Sequence, residues 1–312
     1  MAESSFNQRT LKEPVSCHGV GLHSGALVNL TLLPARANHG IVFVRSDLPR
    51  PVEIPALASY VVDTSLATTL GIDGVRVGTV EHVLAALAGL GVDNARIELD
   101  GPEVPIMDGS AAPFAYLIKS AGIRVLSEPK SFLVIKKPVT VTDGDKEATL
   151  SPSSRFRIDC TIDFDHPLIS DQAISFEFSD RNFSREIARA RTFGFLRDVE
   201  KLKAVGLARG GSLENAIVVD DFSILNPDGL RFPDEFVRHK LLDAIGDVAL
   251  FGRPMIGHLR AFKTGHALNH KLVQRVLADP GSHLVVRARR RDVERVDLLL
   301  PDLVGMLEPL AA

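Results

Sequence analysis

The most informative part of the sequence is the stretch 233–251, which reads PDEFVRHKLLDAIGDVALF. Its apolar residues recur at intervals of three and four, a spacing that predicts a helix with one face in the core. We expect the helix to begin at Pro233 or Asp234 and to end before Pro254. The side opposite the apolar arc carries three polar residues spaced one helical turn apart: His239, Asp243 and Asp247.

The spacing of His239 and Asp243 allows both side chains to reach one ion. An imidazole nitrogen and a carboxylate oxygen are suitable zinc ligands. Asp247, one turn further on, can hold a histidine in one tautomer, as carboxylates near metal sites do. Alone, however, a His-x-x-x-Asp pair is more often an ordinary contact on a solvated helix, so a metal site requires a partner elsewhere in the chain.

A second helix, predicted for residues 79–90, supplies that partner. Its apolar residues recur at helical spacing, Thr79 is a candidate N-cap, and Gly91 is a candidate C-terminal stop. Glu81 and His82 lie in its first turn and point roughly 100° apart. One can therefore bind an ion while the other faces water on it. Three protein ligands, one open position and a nearby carboxylate are what a metallohydrolase needs.

His266 is the third element of this constellation. It lies in KTGHA, residues 263–267, where glycine predicts a turn. Hydrolysis of an amide requires a proton for the leaving amine, and histidine is a common donor near neutral pH. An isolated histidine in a turn is usually only a polar surface residue, and we interpret the other histidines that way: His18, His39, His166, His258, His270 and His283.

The remaining pattern predicts an α+β protein in which each half runs strands, helix, strand, helix. We expect an N-terminal domain at 1–126, a linker at 127–131 and a C-terminal domain at 132–312. Between residues 192 and 231 the second half is interrupted by a short helix, 196–205, and a short strand, 216–219. This segment is either a surface excursion or a βαβ insert, about 193–221, that builds a channel. The strands are expected at 28–33, 41–45, 95–99, 132–135, 139–142, 148–151, 156–163 and 283–287, and the other helices at 112–121, 183–190 and 271–277.

Composition excludes several classes of protein. Of the 312 residues, 45% are hydrophobic and 24% are charged, and the net charge is −3, so the basic surface of a nucleic-acid-binding protein is not expected. The only dense basic run, 287–291, is interpreted as a solvated strand end. Two cysteines that are far apart predict a reducing compartment. The first ten residues are polar, which predicts no signal peptide, and no apolar run is long enough to span a bilayer.

Several motifs in order along the chain resemble those of one enzyme family. They are GVGLHSG (19–25), TVEH (79–82), PIMDGS (105–110), RTFGF (191–195), HKLLDAIGD (239–247) and TGHALN (264–269). Together they resemble the UDP-3-O-acyl-N-acetylglucosamine deacetylase family, from residue 9 to about 286. The resemblance implies two domains of similar topology, each a mixed β-sheet packed with two main helices, with the active site between them.

The resemblance also implies roles for individual residues. It implies zinc, or iron in the cell, held by His82, His239 and Asp243. It implies catalytic roles for Glu81 as general base, His266 as general acid, Asp247 as the residue that orients His266, and Thr192 as an oxyanion donor. It implies substrate contacts from Lys240 to a phosphate, from Phe164 and Lys146 to the nucleotide sugar, and from His23, Phe193 and Leu202 along an acyl-chain passage built by the insert.

The expected activity is therefore zinc-dependent removal of acetate from a UDP-linked acylated amino sugar, the committed step of lipid A biosynthesis in Gram-negative bacteria. We expect a cytoplasmic monomer with no nucleic-acid partner. From the residues alone two alternatives stay open. One is another metalloamidase, although the His-Glu-x-x-His helix of common zinc peptidases is missing. The other is a non-catalytic module that binds a nucleotide sugar, because fold alone does not determine function.

Overall fold

The computed structural model describes residues 6–288. The strands are β1 (Asn7–Leu11), β2 (Val15–Val20), β3 (Leu27–Pro34), β4 (Ile41–Arg45), β5 (Val52–Pro55), β6 (Val61–Asp63), β7 (Thr69–Ile72), β8 (Val75–Val77), β9 (Ala95–Leu99), β10 (Ile123–Pro129), β11 (Ser131–Ile135), β12 (Val139–Asp143), β13 (Lys146–Ser151), β14 (Phe156–Ile162), β15 (Gln172–Glu177), β16 (Phe193–Phe195), β17 (Ile217–Val219), β18 (Met255–Phe262) and β19 (His283–Arg287). The helices are α1 (Glu81–Gly89), α2 (Ala112–Ala121), α3 (Asp180–Asn182), α4 (Leu196–Ala204), α5 (Glu235–Ala249) and α6 (His266–Leu277), with a 3-10 turn at Ala58–Tyr60 and a π-helical turn at Phe183–Ile187.

The first half of the chain forms a five-stranded sheet in the order β2-β3-β9-β4-β5. Only β4 and β9 run parallel; the other neighbours are antiparallel. Along β3, Val28, Leu30 and Leu32 are buried and alternate with more exposed residues. Because successive side chains of a strand point to opposite faces, one face of this sheet lies against the core and the other faces outward.

The second half is organised around β18. This strand pairs with β13 on one side, and with β11 and then β14 on the other. The resulting seven-stranded sheet is mixed, because β18 is antiparallel to β13 but parallel to β11 and β14. The main helices of this half are α5 and α6. Two mixed sheets, each with two main helices, confirm the predicted α+β class.

Helix α5 differs from its predicted amphipathic character because both of its faces are buried. It packs against α1 from the first half and against α6, β14 and β15 from its own half. His239, Asp243 and Asp247 are 2%, 4% and 1% exposed. The polar side opposite the apolar arc is therefore buried as well, and its polar groups must find partners inside the protein.

Two predicted helix starts were wrong. Helix α1 begins at Glu81 with Val80 as its N-cap, whereas Thr79 has a positive φ of 55° and donates its hydroxyl proton to Glu103 at 2.9 Å. Helix α6 begins at His266, so this residue lies in the first turn of a helix rather than in a loop before residue 271. For α1 the cause is the long-range contact of Thr79 with Glu103. For α6 it is the extended Gly265 that serves as N-cap. The local sequence pattern reveals neither.

Other boundaries agree more closely or differ in an informative way. The strands at 41–45, 95–99 and 283–287 and the helix at 112–121 match their predictions. Strands β16 and β17 run parallel and are joined through α4 in a β-α-β arrangement. Residues 127–131, the expected linker, belong almost entirely to β10 and β11. The helix predicted at 183–190 is a π-helical turn that ends at Ile187. Residues 289–312, which include most of the basic run, lie outside the described part.

Candidate metal centre and active site

One group of side chains in the described chain has the geometry of a metal site. His82 comes from the first turn of α1, and His239 and Asp243 come from α5; their ligand atoms lie within 4.8 Å of one another. Asp243 Oδ1 is 3.6 Å from His82 Nε2 and 3.3 Å from His239 Nε2. Two imidazoles and one carboxylate at these separations could hold a single cation and leave a coordination position open.

His239 is already oriented for such a role. Its Nδ1–H donates to the carbonyl oxygen of Ala190 at 3.1 Å, since a carbonyl can only accept. The lone pair of Nε2 therefore faces His82 and Asp243, which is how histidines are oriented at metal sites. Burial lowers the pKa of His239 to about 4, so the ring is neutral at physiological pH, as a ligand must be.

Asp243 shows why the residues fit a metal. Lys240 Nζ donates to its Oδ2 at 2.9 Å, but Oδ1 is buried and has no hydrogen-bond partner among residues 6–288. Burial alone would raise the pKa of Asp243, yet nearby His239 and Lys240 hold that pKa well below its usual range. A buried, ionised oxygen without a partner is unfavourable, and a cation bound between the two imidazoles would satisfy it.

Glu81 lies beside this group but is turned away from direct ligation. It is buried, and its Oε2 accepts the backbone N–H of Thr68 at 3.0 Å. Burial raises the pKa of Glu81, which makes its carboxylate a stronger base than an exposed one. Its other oxygen, Oε1, is 3.8 Å from His266 Nε2. A base and an acid therefore flank the same small volume.

Asp247 orients His266 through a hydrogen bond to its Nδ1. His266 Nδ1 donates to Asp247 Oδ2 at 3.0 Å, and the carboxylate also accepts the Thr68 hydroxyl at 2.7 Å and the Asn269 amide at 2.9 Å. Burial lowers the pKa of His266, but the carboxylates of Asp247 and Glu81 outweigh burial and raise it to about 10. The imidazole is therefore protonated at neutral pH in the absence of a metal and can donate a proton.

These groups line a cavity of about 380 Å³. Its wall includes all but two of the predicted site residues: His23, Glu81, His82, Lys146, Phe164, Thr192, Phe193, His239, Lys240, Asp243 and His266. The first exception, Asp247, lies behind His266. The second, Leu202, lies on α4 of the insert and does not line this cavity. The cavity therefore brings together residues from both halves of the chain.

Thr192 is positioned by the two segments on either side of it. Its N–H donates to Gly109 of the PIMDGS motif at 2.8 Å, and its carbonyl accepts the N–H of Ile217 in β17 at 2.8 Å. Gly109 has a φ of +83°, and an added Cβ would lie 2.1 Å from the carbonyl oxygen of Asn215. The motif therefore requires glycine there so that the insert and the loop can approach closely enough to hold Thr192.

Aromatic contacts attach the insert to the cavity wall. Phe193 of β16 packs edge-on against Phe164 at 5.7 Å and against Phe236 of α5 at 5.0 Å. Lys240 Nζ lies 5.8 Å from the Phe193 ring. At the far end of the insert, buried His166 donates from Nε2 to the carbonyl oxygen of Asp220 at 2.7 Å. The insert is thus held at both ends, and its residue Phe193 lies next to His239 of the candidate metal site.

The glycine-rich loop that carries His23 is held by one buried carboxylate. Glu103 accepts the N–H groups of His23 and Ser24 at 2.9 and 2.8 Å and the hydroxyl of Thr79. Burial lowers the pKa of His23, and the ring faces the cavity as a neutral group. Glu103 therefore connects this loop to the residues that precede α1.

Comparison with known proteins agrees with this geometry. A family model described as UDP-3-O-acyl N-acetylglycosamine deacetylase (LpxC) matches residues 8–278. The chain belongs to this family. A UDP-3-O-acyl-N-acetylglucosamine deacetylase of Myxococcus xanthus is 70% identical, with 100% of each chain covered. The enzyme of that name from Anaeromyxobacter dehalogenans is 61% identical over 91% of this chain and 92% of its own length. The one from Photobacterium profundum is 58% identical over 88% of this chain and 91% of its own length.

In this LpxC chain, sequence reasoning missed three buried polar residues that support the site: Thr68, Glu103 and Asn269. Asn269 could have been found, because it follows His266 by three residues in the TGHALN motif and shares its helical face once α6 is known to begin at His266. Thr68 and Glu103 lie in segments without periodicity. Their partners are distant in sequence, so no local signal indicated them.

Proposed function

We propose that this protein is a zinc-dependent amidohydrolase that converts UDP-3-O-acyl-N-acetylglucosamine to UDP-3-O-acyl-glucosamine and acetate, the committed step of lipid A biosynthesis. One observation carries the proposal: the ligand atoms of His82, His239 and Asp243 converge in a cavity that also contains Glu81 and His266. Membership of the LpxC family supports the choice of substrate.

The chemistry would proceed as follows. His82, His239 and Asp243 would hold the zinc ion, which would supply the Lewis acidity that polarises the acetyl carbonyl and makes water easier to deprotonate. Glu81, whose pKa is raised by burial, removes a proton from the water while the water oxygen attacks the acetyl carbon. Thr192 donates to the negative charge that develops on the acetyl oxygen. His266 gives its proton to the amide nitrogen, the C–N bond breaks, and acetate and the free amine leave.

We propose zinc because two imidazoles and a carboxylate are the donor set of many hydrolytic zinc sites. The same donors also suit Fe(II), so iron in the cell is part of the proposal. Lys240 supports the ligand set by holding Asp243 Oδ2 at 2.9 Å, which leaves one oxygen for the metal. Its ammonium has two further donors, and we assign these to a substrate phosphate.

The assignments for the rest of the substrate also remain proposals. We assign Phe164 and Lys146, which lie on the cavity wall, to the nucleotide sugar, and His23 and Phe193, which lie on the same wall, to the acyl-chain passage. A second cavity, of about 570 Å³, shares Phe164 with the first and provides room for the nucleotide. We assign Leu202 of α4 to the acyl-chain passage, where each buried methylene contributes about 0.8 kcal/mol.

The proposal includes a monomer in the cytoplasm with a domain boundary near 127–131. Every proposed site residue lies on the same chain, so the proposed site does not require a second copy. Cys17 and Cys160 are both free thiols, which supports a reducing compartment. Among the helices of the described residues, none is both long and apolar enough to cross a bilayer.

The decisive experiment is an assay of the purified, zinc-loaded protein with UDP-3-O-acyl-N-acetylglucosamine. Stoichiometric release of acetate and the free amine supports the proposal. Acetate release from other acetamides at equal rates would point instead to a broader metalloamidase. A protein that holds no stoichiometric metal after reconstitution, and releases no acetate, would point to a binding module.

A further inference from the structure

Thr68 lies where the two proton-transfer groups of the site meet. It immediately precedes β7 and is 1% exposed. Its backbone N–H donates to Glu81 Oε2 at 3.0 Å, and its hydroxyl donates to Asp247 Oδ1 at 2.7 Å. A single residue therefore contacts both the proposed base and the carboxylate that orients the proposed acid.

The direction of the hydroxyl group follows from its partners. Asp247 is a carboxylate that can only accept, so the single hydroxyl proton of Thr68 points toward it. The oxygen lone pairs of Thr68 are then available to His266 Nδ1, 3.3 Å away. Both Asp247 and Thr68 thus accept from Nδ1–H, and neither accommodates an imidazole without a proton on that nitrogen. The exchangeable proton of His266 is therefore the one on Nε2, the atom nearest Glu81.

We propose that Thr68 is a positioning residue that sets the base and the acid relative to each other, an inference that rests on the proposed function. Its backbone nitrogen and its hydroxyl oxygen are joined by three covalent bonds, so the places of Glu81 and of the Asp247–His266 pair are coupled through one rigid unit. Removing a proton from water and delivering one to the amine require Glu81 and His266 to be positioned relative to each other within a fraction of an ångström.

A purely structural role would predict a different response to mutation. Thr68→Val keeps the shape and the backbone N–H but replaces the hydroxyl with a methyl group, so Glu81 keeps its hydrogen bond while Asp247 loses one. Thr68→Ser restores the hydroxyl without the methyl. If Thr68 only fills space, valine should preserve activity and serine should reduce it; if Thr68 positions Asp247 and His266, the order is reversed.

The test measures kcat, KM and zinc content for each zinc-loaded variant with UDP-3-O-acyl-N-acetylglucosamine. We expect Thr68→Val to lower kcat by about tenfold to a hundredfold, as loss of a hydrogen bond to a buried charge does. KM and zinc content should change by less than about twofold, because Thr68 does not line the cavity and its hydroxyl contacts none of the proposed metal ligands. Thr68→Ser should recover most of the turnover. The matched control is Thr69→Val, the same change at the next, half-buried residue, which should leave kcat near wild type.

A double-mutant cycle identifies the path of the effect. In an Asp247→Ala background, Thr68→Val should reduce kcat by less than about twofold, because the hydroxyl would have no carboxylate to position. If valine impairs folding, the Thr68→Ser and Thr68→Ala pair, which differs by one oxygen, provides the same comparison.

Three results would overturn the inference: Thr68→Val with wild-type kcat, serine as slow as valine, or additive losses in the cycle. A zinc-loaded wild-type protein that releases no acetate would overturn the proposed function and this inference together, whereas an active wild type with a fully active valine variant rejects only the role of Thr68.

Discussion

Gly246 of α5 packs directly against the backbone of Glu81 at the start of α1. A Cβ at Gly246 would lie 2.2 Å from the carbonyl oxygen of Glu81, far inside van der Waals contact. Gly246 follows Asp243 by three residues, and Glu81 immediately precedes His82; Asp243 and His82 are two of the proposed metal ligands. This contact therefore sets how closely the two helices, and with them the proposed metal ligands, approach each other.

Gly246→Ala should consequently weaken metal binding without touching a ligand. The added methyl forces α1 and α5 apart, and we expect zinc affinity to fall by tenfold or more, a loss typical of changes next to the ligands. Overpacking should also lower the free energy of unfolding by about 1–3 kcal/mol. Chelator competition and urea unfolding measure the two effects. Gly194→Ala, where an added Cβ meets nothing within 4 Å, is the control, and unchanged zinc affinity in Gly246→Ala would contradict the model of helix approach.

Removing the proposed base should separate chemistry from metal binding. Glu81→Ala and Glu81→Gln should keep a full equivalent of zinc, because Glu81 is not a ligand, and should lower kcat by about 10²–10⁴. Metal analysis and the acetate assay on the same samples test this. Glu177→Gln, a change at an exposed carboxylate, should leave both unchanged. Near-normal turnover in Glu81→Ala would reject its assignment as base.

Removing a ligand should have the opposite pattern. His239→Ala deletes one of the three proposed ligands and should lose stoichiometric zinc, and activity should disappear with the metal. His258→Ala provides a matched histidine change, because His258 pairs with Asp159 on the second sheet at 2.8 Å, away from the cavity. Full zinc occupancy in His239→Ala would exclude the proposed ligand set.

The Asp247–His266 pair should make the stability of the metal-free protein depend on pH. The pKa of His266 is raised from 6.5 to about 10 in the folded state, so its protonated form stabilises the fold. This contribution is complete below pH 6.5 and is lost as the pH rises to about 10. The difference in free energy of unfolding between the wild type and His266→Gln should therefore fall by more than about 1 kcal/mol between pH 6 and pH 10.

Urea titrations at several pH values measure this difference. Asp247→Asn supplies the control, because without the carboxylate the folded-state pKa of His266 should move back toward its ordinary value and the pH dependence should weaken. If the difference in free energy of unfolding between the wild type and His266→Gln stays constant from pH 6 to pH 10, the Asp247–His266 pair does not contribute this stabilisation.

Much of the fold could be predicted because the relevant signals are local. Strand β4, strand β9 and helix α2 match their predicted bounds, since each has a clear period and is bounded by breakers. The spacing of His239 and Asp243 on one helix likewise follows from 3.6 residues per turn. The start of α6 was missed because extended Gly265 serves as its N-cap, and glycine was interpreted as part of a longer turn.

By itself, the sequence determined which elements hold the proposed site residues: Glu81 with His82 in one helix, His239 with Asp243 in another. Only the tertiary structure decided that both faces of α5 are buried, that Gly246 allows α1 to lie against it, and that Thr68 contacts both Glu81 and Asp247, the latter 179 residues away from it in the chain. The physical reason is that periodicity and turn chemistry act between neighbours in sequence, whereas helix packing and buried hydrogen bonds join residues that only the folded chain brings together.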